Sequence, residues 1–261
     1  MVLSATNTYT GSTQVQDGIL RAGSTQAFGV NTAVTLSNRA GVRLDLAGFN
    51  NTVGSISGGG APGGNITLGS GNLTLGADSG TGSFGGVISG TGAVTKTGSG
   101  TQTLRGQNTF SGAFTQSQGV TVLANSNGPA LFNGQGGEVV IGSSGANHTY
   151  STLRMGAANQ LGTNVSVTFG PTASSFAYGT FDLMGFNQSI GNLNVNGNAG
   201  IAHIQNSQTV ASTGNSVLTV NQTTDGSYNG IFRDYAGGGT GTLGLVKNGA
   251  ANLTLMGQHI N

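Results

Sequence analysis

Repetition constrains this chain more than any other feature: glycine-bounded triplets such as Leu73-Thr74-Leu75, Leu218-Thr219-Val220 and Leu253-Thr254-Leu255 recur along 261 residues that hold 50 glycines. Self-similarity of this kind marks a stack of equivalent units, each burying its apolar face against the next. The copies stand at fixed offsets. Leu3, Asn7-Thr8-Tyr9-Thr10-Gly11 and Gly18-Ile19 return 101 residues later as Leu104, Asn108-Thr109-Phe110-Ser111-Gly112 and Gly119-Val120. A third copy begins near the end, where Lys247-Asn248-Gly249 and Leu255-Met256-Gly257-Gln258 echo Lys96-Thr97-Gly98 and Leu104-Arg105-Gly106-Gln107. A second set pairs Leu20-Arg21 and Val34-Thr35-Leu36 with Leu153-Arg154 and Val167-Thr168-Phe169 at an offset of 133. Leu44-Asp45-Leu46-Ala47-Gly48-Phe49-Asn50 then matches Phe181-Asp182-Leu183-Met184-Gly185-Phe186-Asn187 at 137. Apolar positions keep their character while linkers change length, which places the insertions in loops.

Composition selects the kind of unit. Gly, Thr, Asn and Ser are weak helix formers, and no segment sustains an apolar period of 3.6. Alternation over three to five residues does recur, as in Val165-Ser166-Val167-Thr168-Phe169, bounded by Gly or Asn that supply positive-φ corners. A sandwich or barrel would need hairpin turns, and Asn-Gly and Asp-Gly pairs are few. The expected fold is all-β, a right-handed parallel β-helix (β-solenoid), with Leu, Val, Ile and Phe inside and Thr, Ser, Asn and Gln outside. At roughly 20 to 25 residues per coil it makes about eleven or twelve coils. Against disorder stand a 35% hydrophobic content and its alternation; the net charge is only +1.

The run Gly86-Val87-Ile88-Ser89-Gly90-Thr91-Gly92-Ala93-Val94-Thr95-Lys96-Thr97-Gly98-Ser99-Gly100-Thr101-Gln102-Thr103-Leu104, followed by Asn108-Thr109-Phe110-Ser111-Gly112 and Gly119-Val120-Thr121-Val122-Leu123, resembles the autotransporter-associated β-strand repeat, also called the passenger-associated transport repeat. The full motif covers about forty residues, with half copies at Asn7–Gly11 and over 239–258. The resemblance implies part of a bacterial surface or secreted chain whose β-helical passenger crosses the outer membrane through a C-terminal barrel.

Other features agree with that implication. There is no cysteine, which suits a chain threaded unfolded through a pore. Met1-Val2-Leu3-Ser4 runs straight into the repeat without a signal-peptide pattern, and no apolar run is long enough to span a membrane as a helix. Residues 1–261 are therefore expected to form a single β-solenoid fragment of a longer repeat array, without caps. Its expected partners are neighbouring repeats, or copies of itself stacked at the solenoid ends as a filament.

Candidate chemistry is sparse. Gly58-x-Gly60-x-x-Gly63, Gly80-x-Gly82-x-x-Gly85 and Gly239-x-Gly241-x-x-Gly244 fit a dinucleotide-binding pattern, but it arises by chance at this glycine content and no helix follows. Asp78 and Asp225 stand outside any calcium-binding nonapeptide series. His148, His203 and His259 lie more than fifty residues apart, which reads as exposed loop or ladder histidines. Asp45 and Asp182 occupy equivalent repeat positions and read as outward-facing strand residues. Asp225 and Asp234 flank a loop around Tyr228 and Arg233, the one local gathering of ionisable and aromatic groups, whose simplest content is an Arg-Asp contact. A glycosidase would need two carboxylates about 5 to 9.5 Å apart. Thr8/Thr10, Thr95/Thr97 and Thr101/Thr103 are scattered, against the one-per-coil array of an ice-binding face. No catalytic, cofactor-binding or metal-binding residue is assigned, and no cofactor is expected. Near-neutral charge argues against nucleic acid or anionic membrane as a partner. The reading is a structural extracellular or cell-surface rod with an adhesive face that could meet host or cell-surface glycan; a self-assembling filament and a polysaccharide-active enzyme are the alternatives.

Overall fold

The computed structural model describes all residues except 133, 135, 143–149, 171–177, 197–200, 209–213, 235–240, 258 and 261. Regular structure among the described residues is entirely strand, and every pair of strands runs parallel. The longest sheet stacks eleven strands and the second seven. A third wall is built from a five-stranded and a three-stranded sheet, joined through parallel bridges from Asn108 to Leu131 and from Leu131 to Leu161. Among the described residues no helix is long and apolar enough to cross a membrane.

Coil length can be read from the long sheet's register. Thr13 pairs with Val34 and Val34 with Ile56, steps of 21 and 22 residues, and Thr101 pairs with Val120 after 19. Beyond that point the coils widen: Gly119 pairs with Ser151 after 32 residues and Tyr150 with Tyr178 after 28. The strands lengthen too, from Val34–Leu36 to Tyr150–Met155 and Ile201–Asn206.

Alternation puts one column of each strand inside. Val15, Leu36, Gly58, Phe84, Leu104, Leu123 and Met155 stack coil on coil, as do Leu73, Val94, Phe114, Val139, Val167 and Leu193. All of these except Gly58 are buried hydrophobic residues, and burial of such columns is the main favourable term holding the coils together. Glycine permits the close approach at corners: at Gly58, φ is +81° and a Cβ would run into the carbonyl oxygen of Leu36 on the coil below.

The walls hold two corrections to the sequence reading. First, the repeat is not a whole number of coils. Ile19–Ala22 lies in the five-stranded sheet, whereas its copy, within Gly119–Leu123, lies in the long sheet. Thr13–Val15 lies in the long sheet, while Phe114–Gln116 lies in the seven-stranded one. The copies at 133 and 137 are turned by the same single wall: Leu44-Asp45 sits in the five-stranded sheet and Phe181-Asp182 in the long one. Local structure is what the repeat preserves, including the left-handed pair Ala47-Gly48 (φ 51° and 87°), which returns as Met184-Gly185 (φ 49° and 84°).

Second, the interior is not purely aliphatic. Gln102, Gln116, Gln160, Gln188 and Gln222 are all buried, because a carboxamide can replace a peptide group where the ladder breaks. Oε1 of Gln102 accepts from the Ile56 N–H at 3.0 Å and its Nε2 donates to the Ile56 carbonyl at 2.9 Å, two coils away. Gly82, on the coil between, leaves the space that this clamp occupies. Gln160 grips Asn125 in the same two-handed way, Gln188 grips Leu161 and Gln222 grips Leu193.

Candidate functional site

The residues with chemical reach gather on the outer face of the long sheet, where the coils are wide. Four strands carry it: Tyr150–Met155, Tyr178–Asp182, Ile201–Asn206 and Ile231–Asp234. Period-two alternation sends Leu153, Phe181, Ile204 and Phe232 into the core and the residues on either side outward. The outward columns are Tyr150, Tyr178 and Ile201; Thr152, Thr180, His203 and Ile231; and Arg154, Asp182, Gln205 and Arg233. Tyr150 stacks on Tyr178 with ring centroids 5.0 Å apart and planes at 12°, and Tyr178 lies 6.1 Å from the His203 ring.

Asp182 reverses the sequence expectation. It has the outward parity of a strand residue but no exposed surface, because the neighbouring coil covers it. Its carboxylate accepts from Arg154 Nε at 3.0 Å, from the Ser207 N–H and hydroxyl, and from the Met184 N–H. Asp45 faces outward as expected but is largely covered, its side chain 16% exposed, paired with Arg21 at 3.5 Å and bonded by Thr67 Oγ1 and the Ala47 N–H.

His203 is likewise buried, not an exposed histidine. Burial, with repulsion from Arg233 second, holds its pKa down at about 4, so the ring is neutral near pH 7. Arg233 donates from Nε and Nη2 to Gln205 Oε1 at 3.1 and 2.7 Å, and Nη2 lies 3.4 Å from His203 Nδ1. The expected Arg-Asp contact in the 225–234 segment is therefore replaced by a glutamine. Tyr228, expected in that loop, is a core residue wedged between Phe169 and Phe232, and its burial raises the hydroxyl pKa.

The two acids of that segment serve the backbone on different sheets: Asp225 accepts from the Asn252 N–H and Asp234 from the Leu243 N–H. Asp78 accepts from the Ser55 and Gly80 N–H groups and from Ser55 Oγ; burial raises its pKa, but these bonds outweigh burial and hold it below the ordinary value. Among the described residues no three His, Cys, Asp or Glu side chains gather at metal distance. His148 and Gly239 lie outside the described residues, and His259 is described only as part of the strand His259–Ile260. The remaining glycines of the dinucleotide-like patterns form corners and strands with no helix after them.

Lys96, at the centre of the repeat motif, is a further correction to the polar-outside expectation. It lies fully buried in the column Leu75, Lys96, Gln116, Ile141, with Nζ donating to the carbonyls of Thr97, Gly98 and Gln118 at 2.6, 2.9 and 3.2 Å. Burial lowers its pKa to about 8, against an opposing attraction from Asp78. The motif's lysine is thus a corner plug for inward-pointing carbonyls. Sequence reasoning also missed the tyrosine pair. Its signal was present, since Tyr150-Ser151-Thr152-Leu153-Arg154 and Tyr178-Gly179-Thr180-Phe181-Asp182 share a frame, but only the coil length brings them together.

Comparison with known proteins agrees with the repeat. Residues 1–22 and 94–124 match the family described as Passenger-associated-transport-repeat. Over 93 residues, 35% of this chain, it is 50% identical to the adhesin BmaC autotransporter of Brucella suis biovar 1 (strain 1330), of whose length the match covers 3%. No solved structure matches. The chain is thus a parallel β-solenoid that carries passenger-associated-transport-repeat sequence over residues 1–22 and 94–124 and is similar over 93 residues to an autotransporter adhesin.

Proposed function

We propose that the chain is a non-enzymatic rod segment of a bacterial surface or secreted passenger, and that it carries an adhesive face. The observation behind this reading is the 50% identity over 93 residues to an autotransporter adhesin. The structure supplies what a rod needs: an eleven-strand ladder in one direction, interior columns, and acids engaged with backbone amides. A polysaccharide-active site finds no support in Asp225 and Asp234, each committed to its own backbone N–H on a separate sheet.

The test is labelling of intact bacteria that produce the full-length protein, using antibody raised against this chain, together with attachment of beads coated with the purified chain to host cells. Labelling without permeabilisation and bead attachment are the expected results. Signal only after permeabilisation would overturn the location, and uncoated and coated beads attaching equally would overturn the adhesive role.

A further inference from the structure

We propose that the outer face formed by Tyr150, Tyr178, Thr152, Thr180, Arg154 and Arg233 binds an acidic oligosaccharide, with one sugar against the exposed rim of the stacked Tyr150 and Tyr178 rings and a carboxylate at Arg233. This deepens the adhesive reading and rests on it.

Tyr150 is 61% exposed although Tyr178 stacks on the side of its ring toward Arg233, so the open area is the rim, which faces the same way as Thr152 and Arg233, and the ring face turned away from them. A single exposed aromatic residue is ordinary. Here the ring is braced by a second ring and flanked by Thr152 and Thr180, half-buried hydroxyls held in register by the ladder. An aromatic rim beside fixed hydroxyl and guanidinium donors suits a pyranose, which offers C–H groups to the rings and hydroxyls to the donors.

Charge decides the class of sugar. The guanidinium of Arg154 is offset by Asp182. Arg233 is held by two neutral groups, Gln205 and His203, and among the described residues it has no carboxylate at ion-pair distance. It is a fixed cation, and among the described residues of this face no free anion answers it. Arg233 lies three strands from Tyr150, about 14 Å along the rod, and four residues along the strand, about 13 Å across. An oligosaccharide bridges that span and a monosaccharide does not. Nucleic acid would require several such cations. In the narrow coils, the column continuous with Arg154 and Arg233 reads Gln14, Thr35, Ser57, Ser83 and Thr103, with no charge of its own, although Arg105 donates to Ser83 from beside it, and no tyrosine pair stands next to it.

The experiment titrates the whole chain with oligosaccharides bearing uronate or sialate residues and with neutral counterparts of the same linkage. Acidic sugars should bind more tightly, and their affinity should fall as salt rises. Tyr150→Ala should weaken binding at least tenfold and Tyr150→Phe should retain it. Arg233→Gln should abolish the preference for acidic over neutral sugars, and Thr35→Ala should change nothing. Circular dichroism and melting of each variant establish that the fold is kept. No binding in the panel, equal binding of acidic and neutral sugars, or undiminished binding by folded Tyr150→Ala would overturn the inference. Attachment to host cells before and after enzymatic removal of their surface glycans separates the two readings. Attachment that persists on stripped cells indicates a protein partner, which ends this inference and leaves the adhesive role; no attachment to untreated cells ends that role itself.

Discussion

Arg21–Asp45 and Arg154–Asp182 are one ion pair made twice, in the narrow coils and in the wide ones. The arginines stand 133 residues apart and the aspartates 137, each aspartate bonds the amide two residues on, and each precedes the same left-handed corner. Yet the Asp45 side chain is 16% exposed and Arg21 57%, while Asp182 is fully covered and Arg154 38% exposed. Identical local chemistry is therefore partly covered in one region and fully covered in the other. The difference comes from the neighbouring coil: Thr67 offers Asp45 one hydroxyl, whereas Ser207 gives Asp182 both its amide and its hydroxyl. Widening the coils adds cover on the outer face, and with it the means to hold arginine, histidine and tyrosine in fixed positions.

The comparison can be broken first at the glycines. Gly71, Gly92 and Gly112 stack so closely that a Cβ on Gly92 would meet the Gly71 carbonyl, so Gly92→Ala should cost about 3 kcal/mol. Gly179 in the wide coils is no corner but an inward-facing residue of the strand Tyr178–Asp182, with its nearest neighbours at 3.2 and 3.3 Å, and Gly179→Ala should cost only about 1 kcal/mol. Denaturant midpoints of the two variants check this; equal shifts would show that Gly179 is held as tightly as the corner at Gly92.

Next come the twin aspartates. Asp182→Ala strands a covered set of donors and should cost about 3 kcal/mol, whereas Asp45→Ala should cost about 1 kcal/mol or less. Thermal melting of the pair reads the difference directly.

Acid should divide the same two regions. The folded pKa of His203, about 4, lies below the 6.5 of the unfolded chain, so between these values the unfolded state binds more protons. Stability present above pH 6.5 is lost as pH falls toward 4, by roughly 3 kcal/mol. Residues 1–142 contain no histidine, and Asp78 there acts only below its unfolded value of 3.8. Hydrogen exchange at pH 4.5 should show lost protection around Ile201–Asn206 while Val34–Leu36 keeps its own, and His203→Gln should flatten the slope.

The glutamine clamps should give the smallest contrast, because both regions use them. Gln102→Leu and Gln188→Leu should each cost about 2 kcal/mol by leaving a backbone N–H and C=O unpaired. A large disparity between them would show that one region lets water in to replace the amide.

Much of the fold was legible because it depends on short-range alternation. Val165-Ser166-Val167-Thr168-Phe169 reads as a strand with one buried face, and it is one. The burial of Lys96 and Gln102 was not legible, since each answers carbonyls or amides whose position follows from the corner geometry and the neighbouring coils. Nor was the candidate site: Tyr150, Tyr178, His203 and Arg233 are spread over 84 positions and meet only once the coil lengths are known.

Alternating apolar residues and glycine corners by themselves determined parallel coils, because strand faces and positive-φ turns are local properties. Which wall each repeat copy occupies, and hence which aspartate is covered and which rings stack, was decided by tertiary structure. Its physical basis is that an insertion can be absorbed in a wider coil, as between Gly119 and Ser151, or can move the next segment on to another wall, and only the completed ladder decides which.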